Sequence, residues 1–143
     1  MKLEHWATKL LLESRVAHLA TATKRGAPHN VPICYAFDGK AIYSPIDRKP
    51  KRVNPQRLRR IRNIAKNPRI CVVVDAYYED WRRLRYVIVN GFAEIIDRGG
   101  EQKRAVALLR TKYGQYRSMH IEDRPVIRIR PAKITAWRPD LEL

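Results

Sequence analysis

Short strand-like runs joined by tight turns constrain the fold of this chain more than any other feature. Residues 15–23, RVAHLATAT, alternate between two sides, as a half-buried strand does. Lys24-Arg25-Gly26 is a predicted turn, and Asp38-Gly39 is typical of a two-residue hairpin turn. Because parallel neighbours need long crossovers, these short links predict an antiparallel sheet or a small barrel. Only residues 46–68 form a link long enough to carry a crossover helix.

The whole pattern predicts six or seven strands with two or three helices in one domain, residues 1–143. Pro32 indicates a sheet edge, a bulge or an interrupted ladder, and Gly91 indicates a bulge or a close backbone approach. The predicted strands are 15–23, 28–37, 41–44, 69–75, 83–97, 125–129 and 133–138. The first predicted helix is 3–14. The second begins at Pro55 after an Asn54 cap, ends at Asn67-Pro68 and has an apolar face of Leu58, Ile61, Ile64 and Ala65. The third is 101–116, with an apolar face of Ala105, Leu108, Leu109 and Tyr113.

The net charge is the most unusual property of the composition. Thirty Lys and Arg against fourteen Asp and Glu give +16, which makes nucleic acid the first partner to consider. No acidic residue lies between Arg48 and Arg69. Such a field would equally attract a phosphorylated cofactor, so charge alone leaves the partner open.

Sequence composition also limits where the protein works. No apolar run approaches the ~20 residues that span a bilayer. The N-terminus lacks the apolar core and cleavage site of a signal peptide, so we expect a cytoplasmic protein without membrane partners. Cys34 and Cys71 both lie in strand-like runs without metal-binding spacing, so we expect two buried thiols and no metal site.

A basic loop follows the third predicted strand and leads into the second helix. Ser44, Arg48, Lys49, Lys51 and Arg52 lie within nine positions. Guanidinium and ammonium groups donate charge-assisted hydrogen bonds to phosphate, and the serine hydroxyl adds a neutral donor. The alternative is a solvated basic loop without a ligand.

Catalytic motifs that rely on protein side chains are missing from the sequence. There is no nucleophile elbow, no HExxH and no CxxC. The histidines, His5, His18, His29 and His120, are scattered, and we interpret His18 as structural. No catalytic residue can be named, which favours chemistry carried by a cofactor. Side chains that could form walls around a cofactor ring, or simply pack, are Tyr35, Tyr43, Tyr77, Tyr78 and Trp81.

Three segments, in this order, give the chain a family resemblance: residues 15–47, residues 49–75 and the strand from Trp81 to Asp97 that ends VNGFAEIID. Together they resemble the flavin- and deazaflavin-binding split β-barrels related to pyridoxamine phosphate oxidase. The chain is most similar to the probable deazaflavin-dependent reductases, whose DxKPKR and DxYxEDW segments match residues 47–52 and 75–81.

The resemblance implies a mainly β, α+β split β-barrel that forms a homodimer with cofactor sites at the subunit interface. It implies an oxidoreductase that binds the deazaflavin F420 or flavin mononucleotide (FMN) and transfers a hydride to or from a small organic substrate. The implied phosphate-binding residues are Lys49, Lys51 and Arg52, with Ser44 on the preceding strand. The implied ring-lining strand contains His29, Asn30, Val31 and Pro32, and Trp81 would come from the partner subunit. The basic helical segment from Arg57 to Lys66 could hold the charged F420 tail.

Two alternatives to an enzyme stay open. The first is a nucleic-acid-binding module in which the basic helix contacts phosphates. The second is a cofactor- or haem-handling protein on the same fold, since a fold does not fix a function.

Overall fold

A computed structural model describes residues 2–46 and 58–140. It contains a seven-stranded sheet in the order β2-β1-β5-β6-β7-β4-β3, in which every neighbouring pair is antiparallel. The sheet curls into a half-barrel with three α-helices around it, which confirms the predicted α+β, mainly β split barrel. The strands are β1 Ala17–Ala22, β2 Pro28–Ile33, β3 Ala36–Phe37, β4 Ile42–Pro45, β5 Arg69–Ala76, β6 Arg85–Ile96 and β7 Val126–Trp137. The helices are α1 His5–Glu13, α2 Arg59–Lys66 and α3 Gly100–Lys112.

The edge of the sheet accounts for the proline in β2. Pro32 pairs with His18 of β1, and β2 is the first strand of the sheet, so within the described residues its other side carries no ladder that the missing N–H would break. The edge position predicted from Pro32 is therefore confirmed. The predicted single strand 28–37 is wrong, because Cys34 and Tyr35 separate β2 from β3.

The hairpin between β3 and β4 turns one residue later than predicted. Asp38 N donates to Ala41 O at 3.1 Å, which leaves Gly39 and Lys40, rather than Asp38 and Gly39, as the two loop residues. Gly39 has φ +96°, a conformation that favours glycine. The Asp38 carboxylate accepts the backbone N–H of Lys40 at 2.8 Å and of Ala41 at 2.7 Å, and so closes the turn.

A β-bulge interrupts the pairing of the two longest strands, β6 and β7. Pairing changes register between Asn90, opposite Lys133, and Gly91, opposite Pro131, so Ala132 is the extra residue of β7. The prediction of a bulge or close approach at Gly91 is confirmed. The two predicted strands 125–129 and 133–138 are wrong: β7 is one strand of twelve residues, because the bulge accommodates the proline without ending the ladder.

The helices begin and end differently from the sequence pattern. Leu58 has extended backbone (φ −62°, ψ 134°), so α2 begins at Arg59, later than predicted, and the predicted Asn54 cap lies outside the described residues. Asn63 is buried on α2 where Ala65 was expected, and Ala65 is exposed. Helix α3 ends at Lys112 instead of Tyr116, and a short 3-10 helix, Gly114–Ser118, follows it.

The buried residues form two clusters. The larger one lies between the sheet interior and helices α1 and α2, and the smaller one packs α3 against β3 and β4. Two expectations about buried residues are wrong: both cysteines are only half-buried, and Leu108 of α3 is exposed. Burial still raises the pKa of the Cys71 thiol. None of the helices in the described part is long and apolar enough to cross a membrane.

Candidate functional site

A cavity of about 900 Å³ opens between helix α2 and the turn that joins β1 to β2. We call it the basic groove. Its floor contains apolar side chains, including Ile61 and Ile95. Its described walls carry basic side chains from both elements: Lys24, Arg25, Arg59, Arg62 and Lys66.

Two asparagines fix α2 above the end of β1. Asn63 Nδ2 donates to the buried Thr21 Oγ1 at 3.0 Å, and Asn67 Nδ2 donates to the Thr23 backbone oxygen at 3.2 Å. Ile61 and Ile64, from the same helix, are buried in the larger core cluster. Because one face of α2 is held in this way, its basic residues are left to line the groove.

The electrostatics of the groove favour an anion with several charges. None of its described lining residues is acidic, and in the described part of the chain none of its basic residues is in an ion pair. Its volume lies near the upper end of the ~300–1,000 Å³ typical of small-molecule sites. Phosphates and carboxylates are the groups that such Lys and Arg side chains bind best.

The predicted ring-lining strand divides its side chains between two faces of the sheet. His29 lies opposite Thr21, which is buried, so His29 and Val31 share the inner face, whereas Asn30 and Pro32 are exposed on the outer face. The His29 Nδ1 atom is buried and has no hydrogen-bond partner among the described residues. His18 is exposed rather than packed, so its interpretation as a structural histidine has no support from burial.

Ser44 is buried, and its hydroxyl is already used within the chain. Ser44 Oγ donates to the Cys34 backbone oxygen at 2.8 Å, which ties β4 to the residue that follows β2. Its role in phosphate binding stays a prediction. The same holds for four other predicted residues, which lie outside the described part of the chain: Lys49, Lys51, Arg52 and Arg57.

Trp81 lies far from the basic groove within one chain. It is 67% exposed and begins a short 3-10 helix, Trp81–Arg83, between β5 and β6. Strand β5 begins beside the groove, immediately after α2, and its eight residues span roughly 25 Å before they reach this connection. Among the described residues, the structure therefore does not bring Trp81 to the basic groove of the same chain.

Lys24 and Arg25 line the groove, although the sequence pattern did not predict them as site residues. A basic pair in a turn is usually solvated, and nothing in the local sequence indicates that this turn faces α2. The contact between Asn63 and Thr21, which are forty-two residues apart, brings the turn close to α2. No local sequence pattern indicates this contact.

Comparisons with known proteins give one matching family model and one relative that is named as a reductase. The family model for pyridoxamine 5'-phosphate oxidase matches residues 3–138. A 5a,11a-dehydrotetracycline/5a,11a-dehydrooxytetracycline reductase from Streptomyces rimosus is 32% identical over 120 residues, which are 83% of this chain and 71% of the relative.

Two solved structures share the fold at low identity. An F420 reductase has a TM-score of 0.67 and 21% identity, with 93% of this chain and 98% of that chain covered. The haem storage protein HutZ of Vibrio cholerae has a TM-score of 0.71 and 16% identity, with 96% and 95% covered. At such identities the likeness concerns the fold alone.

Proposed function

The chain belongs to the pyridoxamine 5'-phosphate oxidase family, and from this premise we propose that it is an oxidoreductase that binds a flavin-type cofactor. The cofactor would exchange a hydride with a small organic substrate, and the relative named as a reductase supports this class of reaction. The observation that carries the proposal is the basic groove, since a cavity whose described lining has basic walls and no acidic side chain fits the anionic part of such a cofactor.

The charge of the groove favours F420 over FMN. F420 carries more phosphate and carboxylate charge on its tail than FMN does. The groove offers cations on both walls, for example Arg25 on the turn and Arg62 on α2, which suits an extended anion better than a single phosphate. FMN is the second candidate. In either case Lys49, Lys51 and Arg52 are proposed to hold the phosphate nearest the ring.

The ring would lie along the edge strand β2 at the interface of a homodimer. Among the described strands, β2 has a neighbour on one side only, so backbone groups of residues 28–33 on its other side are available to bind polar atoms of a ring. Asn30 and Pro32 would contact the ring from the outer face. Trp81 would come from a second copy, because within one chain it lies at the other end of β5 from the groove.

The protein's own part in the reaction is binding, orientation and exclusion of water. The basic groove fixes the tail, the edge of β2 fixes the ring, and the aromatic surface at Trp81 covers it. No side chain is assigned a proton-transfer role. Hydride transfer by a bound cofactor requires this from the protein, because the cofactor itself supplies the redox chemistry.

A parallel titration with F420 and FMN, followed by absorbance and fluorescence, tests the proposal. Saturable binding of F420 in preference to FMN is expected. Lys51→Ala should weaken either cofactor by about 1.5–3 kcal/mol, the range for a hydrogen bond to a charged group. The double change of Arg62 and Lys66 to Ala should weaken F420 more than FMN, whereas Arg98→Ala removes an exposed cation (92% exposed) outside the groove and should change neither.

Failure of both cofactors to bind would overturn the enzyme proposal. The acid-free groove would then favour nucleic acid as its ligand. A nucleic-acid complex held by several phosphates loses affinity steeply with added salt, so a pull-down at two salt concentrations identifies it. Binding of haem in the same titration format would instead support a haem-handling role.

A further inference from the structure

A second, smaller cavity lies next to strands β6 and β7. Its volume is about 240 Å³, below the ~300 Å³ at which sites for drug-sized ligands begin. It is separate from the basic groove, with which it shares no lining residue. Its lining combines apolar with charged side chains: Pro68, Phe92, Ala93, Glu94, Arg128 and Arg130.

Arg128 is the unusual member of this lining. Its side chain is only 10% exposed, although it carries a full positive charge. One terminal nitrogen pairs with Glu101, the other with Glu94, and Nε is buried without a hydrogen-bond partner among the described residues. Burial lowers the pKa of the Arg128 guanidinium, and the positive charge of Arg130 lowers it further. An additional anion would relieve both effects.

The two glutamates that contact Arg128 differ in how firmly they are held. Glu101 also accepts the Tyr43 hydroxyl at 2.7 Å and is 33% exposed, so β4 and α3 hold it in place. Glu94 has no second partner among the described contacts and is 58% exposed. The exposed Glu94 carboxylate can move away from Arg128, but the buried guanidinium still needs an anion, so another carboxylate can take the place of Glu94.

We propose that this cavity binds a small organic carboxylate with a flat apolar body. The ligand carboxylate takes the place of Glu94 on Arg128 and also pairs with Arg130, which is exposed beside it. A planar guanidinium suits a carboxylate because two parallel N–H···O bonds form at once. The apolar body lies on Phe92, whose ring is 49% exposed, and on Pro68. The site requires no cofactor, so its test is independent of the groove.

Benzoate is a suitable probe, and NMR of the full chain is a suitable readout. Saturable shifts of the Arg128 Nε–H and Phe92 ring signals are expected with benzoate and not with benzyl alcohol, its neutral counterpart. Arg130→Met should weaken binding about tenfold or more, which is the effect of losing one charge-assisted hydrogen bond. Arg98→Met removes an exposed cation outside the cavity and is the matched control.

The substitution Glu94→Gln distinguishes this proposal from simple attraction to a basic protein. It removes the carboxylate that competes for Arg128, so benzoate should bind severalfold more tightly. Unchanged or weaker binding to Glu94→Gln would overturn the proposed exchange. So would equal losses in Arg130→Met and Arg98→Met, or shifts that map to the basic groove. If inorganic phosphate binds here as tightly as benzoate, the apolar half of the proposal is wrong.

Discussion

Substitution of Gly91 by alanine should destabilise the fold through a backbone clash. A Cβ atom at Gly91 would lie 2.1 Å from the Arg130 carbonyl oxygen, 3.0 Å from its carbonyl carbon and 3.1 Å from Pro131 Cα. All three atoms belong to the backbone of β7, so no side-chain rotation can relieve the contact. Alanine therefore has to move the two strands apart at the bulge.

The size of the effect follows from the distance. A carbon and a carbonyl oxygen normally approach to about 3.3–3.6 Å, so the strands would have to separate locally by more than ~1 Å. That movement weakens the ladder hydrogen bonds on both sides of the bulge, each worth about 1 kcal/mol net. Overpacking of a well-packed site costs ~1–3 kcal/mol by itself. We therefore expect Gly91→Ala to lower the free energy of unfolding by about 2–4 kcal/mol.

Urea denaturation at one fixed protein concentration measures this loss, and the melting temperature should fall by roughly 10 °C. Gly114→Ala is the matched control, since a Cβ at Gly114 meets nothing within 4 Å and its backbone is not left-handed. Its stability should stay within about 0.5 kcal/mol of the natural protein. If Gly91→Ala lies equally close, the tight strand approach at the bulge is refuted.

Three further substitutions test local contacts. Burial lowers the pKa of Lys112 to about 8. The cost of its charge is therefore fully present below about pH 8 and is lost only as the pH rises through the ordinary value of 10.5. Lys112→Met should gain about 1–2 kcal/mol at pH 7 after solvent screening, and in a denaturation series this gain should shrink above pH 8 and be lost above pH 10.5. Asn63→Ala leaves Thr21 Oγ1 without its donor and should cost about 1–3 kcal/mol in urea, together with weaker F420 binding. Asp38→Ala removes the acceptor for two backbone N–H groups and should cost about 1 kcal/mol in the same assay.

Most of the fold was predictable because its signals are local. The alternating pattern of residues 15–23 predicts β1. Gly91 predicts a bulge or a close backbone approach without any information on the strand that pairs with β6. The prediction of two strands in place of β7 was wrong because a proline such as Pro131 normally ends a strand in an antiparallel sheet. Here Gly91 of β6 lies opposite Pro131 and Ala132 is left over as the bulge residue, so the ladder continues. The continuation of β7 past Pro131 depends on its pairing with β6. The residues around Pro131 do not indicate which strand pairs with them.

The site was predictable in part for the same reason. The basic character of α2 is a property of consecutive residues, whereas the second wall, Lys24 and Arg25, depends on packing across the chain. Ser44 also depends on contacts across the chain. Its predicted role in phosphate binding rests on its place in the sequence, and the β3–β4 hairpin brings its hydroxyl to the Cys34 carbonyl. Whether a polar side chain remains free for a ligand depends on tertiary contacts.

Basic residues in two parts of the structure differ in the partners that they contact. At the connection between β5 and β6, arginines have partners within the protein: Arg82 pairs with Asp80 at 2.9 Å, and Arg83 stacks 3.8 Å from the centre of the Tyr78 ring. The described basic residues of the groove have no ion-pair partner in the described structure, and they surround a cavity. Like charges held close together cost free energy unless an anion is bound. An anionic ligand of the kind proposed above would relieve this repulsion, so the proposal predicts that ligand binding stabilises the protein.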